Sequence, residues 1–162
     1  MKMIRIAGVD DLQHILKIYA YAREFMKMTN NPLQWGCSYP DKKLLENDIR
    51  KEQLYVMEEK SIIYGVFVFA LGIDPTYDYI EDGNWLNDKS YGTIHRIAGN
   101  GIKSGVFHEC IDYCKQKIPN IRIDTHEDNI VMRHLIEKLD FVRCGIIYVE
   151  DGSKRIAYQL TE

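Results

Sequence analysis

The residues best suited to binding chemistry lie between positions 91 and 114, where a strand-like run leads through a glycine-rich turn into a helix-like run. Three glycines and two polar residues punctuate the turn: Gly99, Gly101, Lys103, Ser104 and Gly105. A glycine turn before a helix leaves backbone N–H groups free at the positive end of the helix dipole, which favours phosphate. The turn therefore predicts either a phosphate-binding loop or, because glycines are common in turns, an ordinary strand-to-helix connection.

Two aromatic segments are candidates for a substrate pocket. The loop at residues 33–39 contains Trp35 and Tyr39, and it either lines a pocket or plugs the helix ends. Residues 72–90 are polar and acidic, and they contain Tyr77, Glu81 and Trp85. A loop this long is often functional, and its carboxylates suit a cationic or amine-bearing acceptor, although a solvated surface loop has the same composition. Our hypothesis is that Trp35, Tyr39, Tyr77 and Trp85 surround an acceptor site.

The cysteines do not form a metal-binding or redox motif. The chain has four, Cys37, Cys110, Cys114 and Cys144, and no two are spaced as C-x-x-C. Cys110 and Cys114 are one turn apart on an apolar helix face, which is typical of small core residues. No His–Asn arrangement supports a cysteine nucleophile. We therefore predict no zinc or redox site and no metal cofactor.

The composition limits the partners and the location. The chain has 162 residues, of which 46% are hydrophobic and 28% charged, and this fits one folded domain spanning residues 1–162. A net charge of −3 argues against a nucleic-acid-binding surface. No apolar run reaches the roughly 20 residues of a membrane span, and the first residues lack a signal-peptide core. We expect a cytoplasmic protein without a membrane partner.

The periodicity predicts the order β α α β β β α β α β β. Strands are expected at residues 3–6, 53–58, 61–70, 91–98, 121–125, 141–150 and 155–160, and helices from residues 10, 41, 106 and 128. Antiparallel strands come first, then one β-α-β crossover, then a hairpin across Asp151-Gly152. This order predicts a mixed α+β sheet in a single domain.

The order, together with the stretch NIRIDTHEDNIVMRHLIEKLDFVRCGII, resembles the GNAT superfamily of N-acetyltransferases over essentially the whole chain. In that family an Asn opens the last helix and a "leu-tyr-glu-lys-leu-gly-phe" run ends it. Here Asn129 opens the helix and residues 135–141 end it. The resemblance implies a mixed, mostly antiparallel sheet flanked by helices, with a splayed parallel strand pair at its centre. It also implies acetyl-CoA as the co-substrate.

The family's acetyl-CoA signature falls on residues 102–107, where only Gly105 matches it. Ile102 replaces a Gln or Arg, and Phe107 replaces a small residue. A cradle of backbone N–H groups depends on geometry more than on side chains, and Lys103 and Ser104 add a charge and a hydroxyl. The resemblance implies cofactor contacts at Ile97, Ala98, Ile102, Lys103, Ser104, Gly105, Val106, Phe107 and Asn129.

The resemblance also implies a mechanism in which an amine attacks the thioester directly. The thioester would lie between residues 91–98 and 121–125, with the backbone N–H of His95 as the oxyanion donor. Strand alternation puts the His95 side chain on the face that looks toward the acceptor in this family, which makes it a candidate base. Glu81 and Asp82 are alternative bases. Arg96 points the other way, and we expect it in a structural ion pair.

The family's usual general acid is a tyrosine on the last helix, and that position is Ile136 here. Transfer can survive this loss, because a thiol leaves readily near neutral pH and water can supply a proton. The residues that could substitute for the tyrosine, none of them at the family position, are His126, His134 and Tyr148.

Two functions therefore remain open. The first is an N-acetyltransferase acting on a small-molecule or protein amine, with Trp35, Tyr39, Tyr77, Glu81 and Trp85 contacting the acceptor. The second is a non-catalytic acyl-CoA-binding module, which the missing tyrosine and the divergent turn both favour. A dinucleotide-binding domain is a weak third, because the glycine spacing does not fit G-x-G-x-x-G and too little chain precedes the turn. The apolar final strands are compatible with a homodimer.

Overall fold

Seven strands form one sheet in the computed structural model, which describes residues 1–162. The strands are β1 (Lys2–Ile6), β2 (Leu54–Glu59), β3 (Ile62–Leu71), β4 (Gly92–Gly99), β5 (Ile121–Thr125), β6 (Val142–Tyr148) and β7 (Lys154–Leu160). The helices are α1 (Leu12–Met28), α2 (Lys42–Arg50), α3 (Val106–Lys117) and α4 (Ile130–Lys138). The predicted order of elements and the α+β class are confirmed.

The sheet has the order β1-β2-β3-β4-β5-β7-β6. Every neighbouring pair is antiparallel except β4 and β5, which are parallel and are joined by the α3 crossover. This mostly antiparallel sheet with one parallel pair is the arrangement that the resemblance implied.

The two faces of the sheet are covered by different helices. One core packs α3 and α4 on the sheet and contains Phe107, Cys110, Cys114 and Ile136, so the two helical cysteines are core residues as predicted. The other core packs α1 and α2 on β2, β3 and β4. Alternation along each strand sends successive side chains to opposite cores. The two helices predicted near residues 10 and 41 therefore lie on the opposite face from α3.

Residues 72–90, called the strap below, cross the sheet on the same face as α1 and α2. Tyr77 is buried in a small core with Tyr91, Ile147 and Ala157, and Trp85 packs against it. The strap pairs with β6 through two backbone hydrogen bonds between Glu81 and Ile146, of 2.9 and 2.8 Å. The segment is therefore anchored to the fold at Tyr77, Trp85 and Glu81, whereas most of its other residues are exposed.

Tight backbone packing between the strap and β6 leads to a prediction about stability. A Cβ at Gly145 would lie 2.5 Å from the carbonyl oxygen of Glu81 and 2.9 Å from Cγ1 of Ile80. Gly145→Ala should therefore lower the free energy of unfolding by about 2–3 kcal/mol, measured by urea denaturation. In the same hairpin, Gly152 has open space around the position of a Cβ. Gly152→Ala should cost only about 1 kcal/mol.

Both glycines have positive φ angles, 155° for Gly145 and 84° for Gly152, so the comparison isolates the close approach of the strap. Equal losses in the two variants would show that the strap does not pack against β6 as described.

Candidate active site

The two parallel strands at the centre of the sheet separate after a short paired stretch. The register gives only two pairs, Gly92 with Ile121 and Thr93 with Arg122. From residue 94 onward, the edge of β4 that faces β5 is not paired, and we call this gap the opening. Unpaired strand edges present free backbone N–H and C=O groups, which must be satisfied by water or a ligand.

A bulge in β4 accompanies the opening. Val66 pairs with Ala98 and Val68 with His95, so β4 holds one more residue than β3 between these pairs. Arg96 lies in the bulge with a φ of 50°. Bulges bend a strand and re-aim its side chains.

Contacts from the α1 and α2 side hold this bulge. The hydroxyl of Tyr19 donates to the carbonyl oxygen of Arg96 at 2.7 Å. The Arg96 guanidinium donates to the carboxylate of Asp48 at 2.6 Å and to the hydroxyl of Tyr39 at 3.2 Å. The ion pair predicted for Arg96 is present, and its partner is Asp48. The prediction that Arg96 points away from His95 is wrong, because the bulge turns its side chain to the α1 and α2 side, where both residues line the cavity.

A cavity of about 620 Å³ contains the opening. Ile94, Ile97, Ile123, Thr125, Asn129 and Met132 line its strand and α4 side, whereas Trp35, Tyr39, Asp74, His95, Asp124 and Asp151 line its other side. The isoleucines and Met132 make part of the cavity wall apolar, whereas Asp74, His95 and Asp124 form a group of titratable side chains. The cavity thus combines a narrow apolar channel with a polar end, which suits transfer between two bound molecules.

His95 is held by a carboxylate of the strap. The distance between Nε2 of His95 and Oδ2 of Asp74 is 3.0 Å. The other oxygen of Asp74 accepts from the N–H and hydroxyl of Thr76 at 2.9 and 2.7 Å. Burial acts to raise the pKa of Asp74, but the hydrogen bonds from His95 and Thr76 outweigh it and lower the pKa to about 2. Because Asp74 is therefore an acceptor, Nε2 of His95 is the nitrogen that donates to it, and in the neutral imidazole Nδ1 is the nitrogen with the lone pair.

Asp124 lies on the other strand of the opening. Continuing the parallel register from Thr93 and Arg122 puts Asp124 opposite His95, on the same face of the sheet. The hydroxyl of Tyr77 donates to Oδ2 of Asp124 at 2.7 Å. Burial raises the pKa of Asp124. Burial also raises the pKa of Tyr77, and the nearby negative charge of Asp124 raises it further. One short segment of the strap, residues 74–77, thus supports both residues that face each other across the opening.

The N-terminus of α3 lies next to the end of β4. Gly105 is its N-cap in a left-handed conformation with a φ of 80°, and no side chain caps the helix. The first backbone N–H groups of this helix, which has 12 residues, are therefore without intrahelical partners. A Cβ on Gly105 would meet no atom within 4 Å, so the space in front of the helix is open. This end of the helix can receive an anionic group.

Comparison with known proteins identifies the family. No protein-family model matches the sequence, and no curated protein matches it. Among solved structures, a GNAT-family acetyltransferase from Streptococcus agalactiae superposes with a TM-score of 0.84 at 29% identity, covering 99% of this chain and 95% of that one. A protein from Staphylococcus aureus Mu50, provisionally assigned as an acetyltransferase, has a TM-score of 0.70 at 30% identity and 98% coverage of both chains. The chain belongs to the GNAT family of acetyltransferases.

A third similar structure shares the fold at lower identity. This Salmonella typhimurium protein, also provisionally assigned as an acetyltransferase, was solved with its cofactor acetyl-CoA. It has a TM-score of 0.59 at 17% identity and covers 99% of this chain and 93% of its own.

The residues predicted from the GNAT resemblance to contact the cofactor have varied environments. Ile97 and Asn129 line the cavity. Asn129 also caps α4 by accepting from the N–H of Met132 at 3.0 Å, and it donates to Gln34 at 2.9 Å. Ala98 is buried against the α1 side. Of the nine residues, only Ile97 and Asn129 therefore line the cavity.

The predicted cofactor contacts in the turn at residues 102–107 also differ in their exposure and contacts. Ile102 is 68% exposed, and Ser104 is exposed beside the N-cap Gly105. Lys103 forms an ion pair with Glu59 on β2. Val106 is packed against Gly65 and Gly99, where an added Cβ would lie 3.2 and 3.3 Å from its methyl groups. The Phe107 side chain is buried beneath α3 with Phe141, so only its backbone is available at the helix end.

The four aromatic residues predicted to surround an acceptor do not form one ring. Trp35 and Tyr39 line the cavity, with a centroid separation of 6.3 Å. Tyr77 is 1% exposed and Trp85 packs on it at 5.0 Å, so these two lie behind Asp124. Glu81 accepts from the hydroxyl of Tyr148 at 2.5 Å, away from the cavity. This separation corrects the hypothesis of a four-residue ring. Tyr77 and Trp85 do not line the cavity, and they instead pack behind Asp124, which does.

The general acid common in GNAT enzymes has no counterpart at its family position. Ile136 is fully buried in the core. His134 is exposed on α4, and Tyr148 donates to Glu81. His126 accepts from the N–H of Asp128 at 3.0 Å. None of these three lines the cavity.

Sequence reasoning missed Asp74 and Asp124. Asp124 is at a predicted strand position, but its relation to His95 depends on a register that local sequence does not reveal. Asp74 precedes Pro75, a turn signal that was available, since Asp side chains cap such turns. No group of three or more His, Cys, Asp or Glu side chains is arranged to hold a metal ion. No helix has both the length and the apolar character needed to cross a membrane.

The hydrogen bonds of Asp74 lead to a pH-dependent prediction. A carboxyl whose pKa falls from 3.8 to about 2 on folding contributes about 2 kcal/mol to stability. This contribution is complete above the unfolded pKa and is lost as the pH falls toward the folded pKa. Asp74→Asn should therefore be about 2 kcal/mol less stable than the wild type at pH 7, and about half that difference should remain at pH 3. Urea denaturation across this pH range measures it.

Asp78→Asn is the matched control, because Asp78 is an exposed carboxylate of the same strap without a hydrogen-bond partner. Its effect should be within about 0.5 kcal/mol at every pH. A loss for Asp74→Asn that stays constant from pH 7 to pH 3 would contradict the assigned hydrogen bonds.

Proposed function

We propose that this protein transfers the acetyl group of acetyl-CoA to a primary amine, carried by a small molecule or a protein. The observation that carries the proposal is the opening between β4 and β5, with His95 and its partner Asp74 at the polar end of the cavity. Membership of the GNAT family supports acetyl transfer, and a protein of the same fold was solved with acetyl-CoA.

The residues present fit acetyl-CoA. The unpaired edge of β4 offers backbone N–H and C=O groups to an amide-containing arm. The uncapped N-terminus of α3, with open space before Gly105, suits the pyrophosphate. Backbone donors can compensate for the departures from the family signature at Ile102 and Phe107, since the Phe107 side chain is buried beneath α3 and that of Ile102 is 68% exposed. The thioester of acetyl-CoA supplies the activated acetyl group.

The chain's own residues would then activate the amine and stabilise the reacting centre. Asp74 holds the proton on Nε2 of His95, so Nδ1 accepts the proton that the amine loses. The N–H of His95 is directed at its antiparallel partner Val68 on β3, because alternation along β4 starts from Gly92, whose N–H donates to Asn120 on the β5 side. The candidate donors to the oxygen that becomes negative are therefore the other backbone N–H groups of β4, those that face the opening. The nitrogen–carbon bond forms as the carbon–sulfur bond breaks. The departing thiolate takes its proton from water, because Ile136 offers none.

The catalytic role of His95 leads to a prediction. His95→Gln should lower kcat for amine acetylation by about 10²–10⁴-fold, because a positioned base contributes about this much. CoA release with a panel of primary amines measures the rate. His14→Gln, an exposed histidine on α1, should leave kcat unchanged.

A binding measurement separates catalysis from cofactor affinity. Acetyl-CoA at about 100 times its Kd should stabilise the wild type and His95→Gln alike by about 2.7 kcal/mol, a rise of several degrees in Tm. NAD should cause no rise. A rise with acetyl-CoA but no turnover of any amine would favour the acyl-CoA-binding module. The absence of a rise with acetyl-CoA or CoA would overturn the proposal altogether.

A further inference from the structure

Asp124 is a carboxylate at the reacting end of the cavity that lacks a positive partner. No Lys, Arg or His nitrogen lies within 4 Å of its carboxylate oxygens. Its Oδ2 accepts from Tyr77, and its Oδ1 has no hydrogen-bond partner in the protein. A half-buried carboxylate in this position favours a cationic ligand, because charge removed from water needs a compensating charge.

The nearest cation that could neutralise Asp124 is directed elsewhere. Arg155 also lines the cavity, but its guanidinium donates to the carbonyl oxygens of Lys154 at 2.9 Å and Gln34 at 3.5 Å. Arg122, two residues before Asp124 on β5, is held between the rings of Trp85 and Tyr91 at 4.1 and 4.0 Å. The charge of Arg155 acts on Asp124 through space and lowers the pKa of its carboxyl, but neither arginine forms an ion pair with it.

The position of Asp124 in the opening indicates what a cation bound to its carboxylate would do. Asp124 and His95 face each other from β5 and β4. The strap fixes each of them through one hydrogen bond: Tyr77 donates to Asp124, and His95 is hydrogen-bonded to Asp74. A group held by Oδ1 of Asp124 would therefore lie across the opening from the imidazole of His95. The burial of Asp124, which raises its pKa, means that an incoming cation gains an electrostatic interaction that water does not weaken.

We propose that Asp124 binds the acceptor in its ammonium form and directs its nitrogen toward His95, so that the enzyme selects amines that are charged at neutral pH. This inference rests on the proposed function and narrows the acceptor to aliphatic amines. The ammonium loses one proton to Nδ1 of His95 before it attacks, and the second proton, which the nitrogen loses as the amide forms, passes through water to the departing thiolate. Tyr77 is then a positioning residue that orients the carboxylate without touching the acceptor.

Two acceptors that differ in charge test the role of Asp124. At pH 7 n-butylamine is an ammonium ion, whereas aniline is neutral. Asp124→Asn should lower kcat/KM for n-butylamine by about 10–100-fold, the effect of losing a hydrogen bond to a charged group, mainly through KM. For aniline the change should be less than about threefold. Equal losses for both amines, or no loss for n-butylamine, would overturn the inference.

Two further measurements exclude misfolding and a merely structural role. The rise in Tm caused by acetyl-CoA should be the same in Asp124→Asn as in the wild type, which shows that the variant is folded and binds its cofactor. Tyr77→Phe retains the carboxylate but loses its orientation. It should therefore show a smaller rise in KM for n-butylamine than Asp124→Asn and no change for aniline.

Calorimetric titration of n-butylammonium into the CoA-bound protein distinguishes failure of the inference from failure of the proposed function. Binding to the wild type but not to Asp124→Asn, without turnover, would support the inference and contradict the enzyme. Turnover of n-butylamine with equal efficiency by both proteins would support the enzyme and overturn the inference. The absence of both binding and turnover in the wild type would overturn both.

Discussion

The separation of β4 from β5 is the constraint on which the rest of the structure depends. Parallel strands in a sheet are normally paired along their length, and here pairing stops after Thr93 and Arg122. The bulge at Arg96 accompanies this, and a non-glycine residue with a φ of 50° costs about 1–2 kcal/mol. The hydroxyl of Tyr19 and the carboxylate of Asp48 offset that strain through direct contacts with Arg96. Strain retained in this way is typical of functional sites.

The strap is the second element that the site requires. Its residues 74–77 place Asp74 against His95 and Tyr77 against Asp124, so one segment fixes the side chains on both strands of the opening. Its remainder is anchored on β6 and β7, where Leu86 donates to Gln159 at 2.9 Å. A long segment without regular structure becomes rigid when its backbone groups are satisfied in this way. Precise placement of the two hydrogen-bonded pairs depends on that rigidity.

Much of the fold could be predicted because helices, turns and helix caps are specified by residues that are close together in the sequence. Helical periodicity, the D-G turn and the motif around Asn129 identified the order of elements, and Asn129 caps α4 by accepting from Met132. The opening itself was implied only by resemblance, since no pattern in residues 91–98 shows where pairing ends. The ion pair of Arg96 was predicted, but strand alternation put it on the wrong face, because neither the bulge nor the distant partner Asp48 is visible in local sequence.

The parts of the site that sequence reasoning did not reach depend on non-local packing. Tyr77 and Trp85 have the composition of a pocket wall but are buried, because they fill the space between the strap and β7. Phe107 was predicted beside the cofactor, yet its side chain is in the core, since the apolar face of α3 includes that position. Asp124 becomes important only through its register opposite His95.

The most direct test of the account is hydrogen–deuterium exchange of the backbone amides with and without acetyl-CoA. The free edge of β4 and the uncapped end of α3 are predicted to be the binding surface, so exchange should slow in residues 94–98 and 105–108 when acetyl-CoA is added. The paired strands β1 and β2, at the other edge of the sheet, should be unaffected. Unchanged exchange in residues 94–108, or protection confined to another part of the sheet, would contradict the claim that the opening is the site of acetyl transfer.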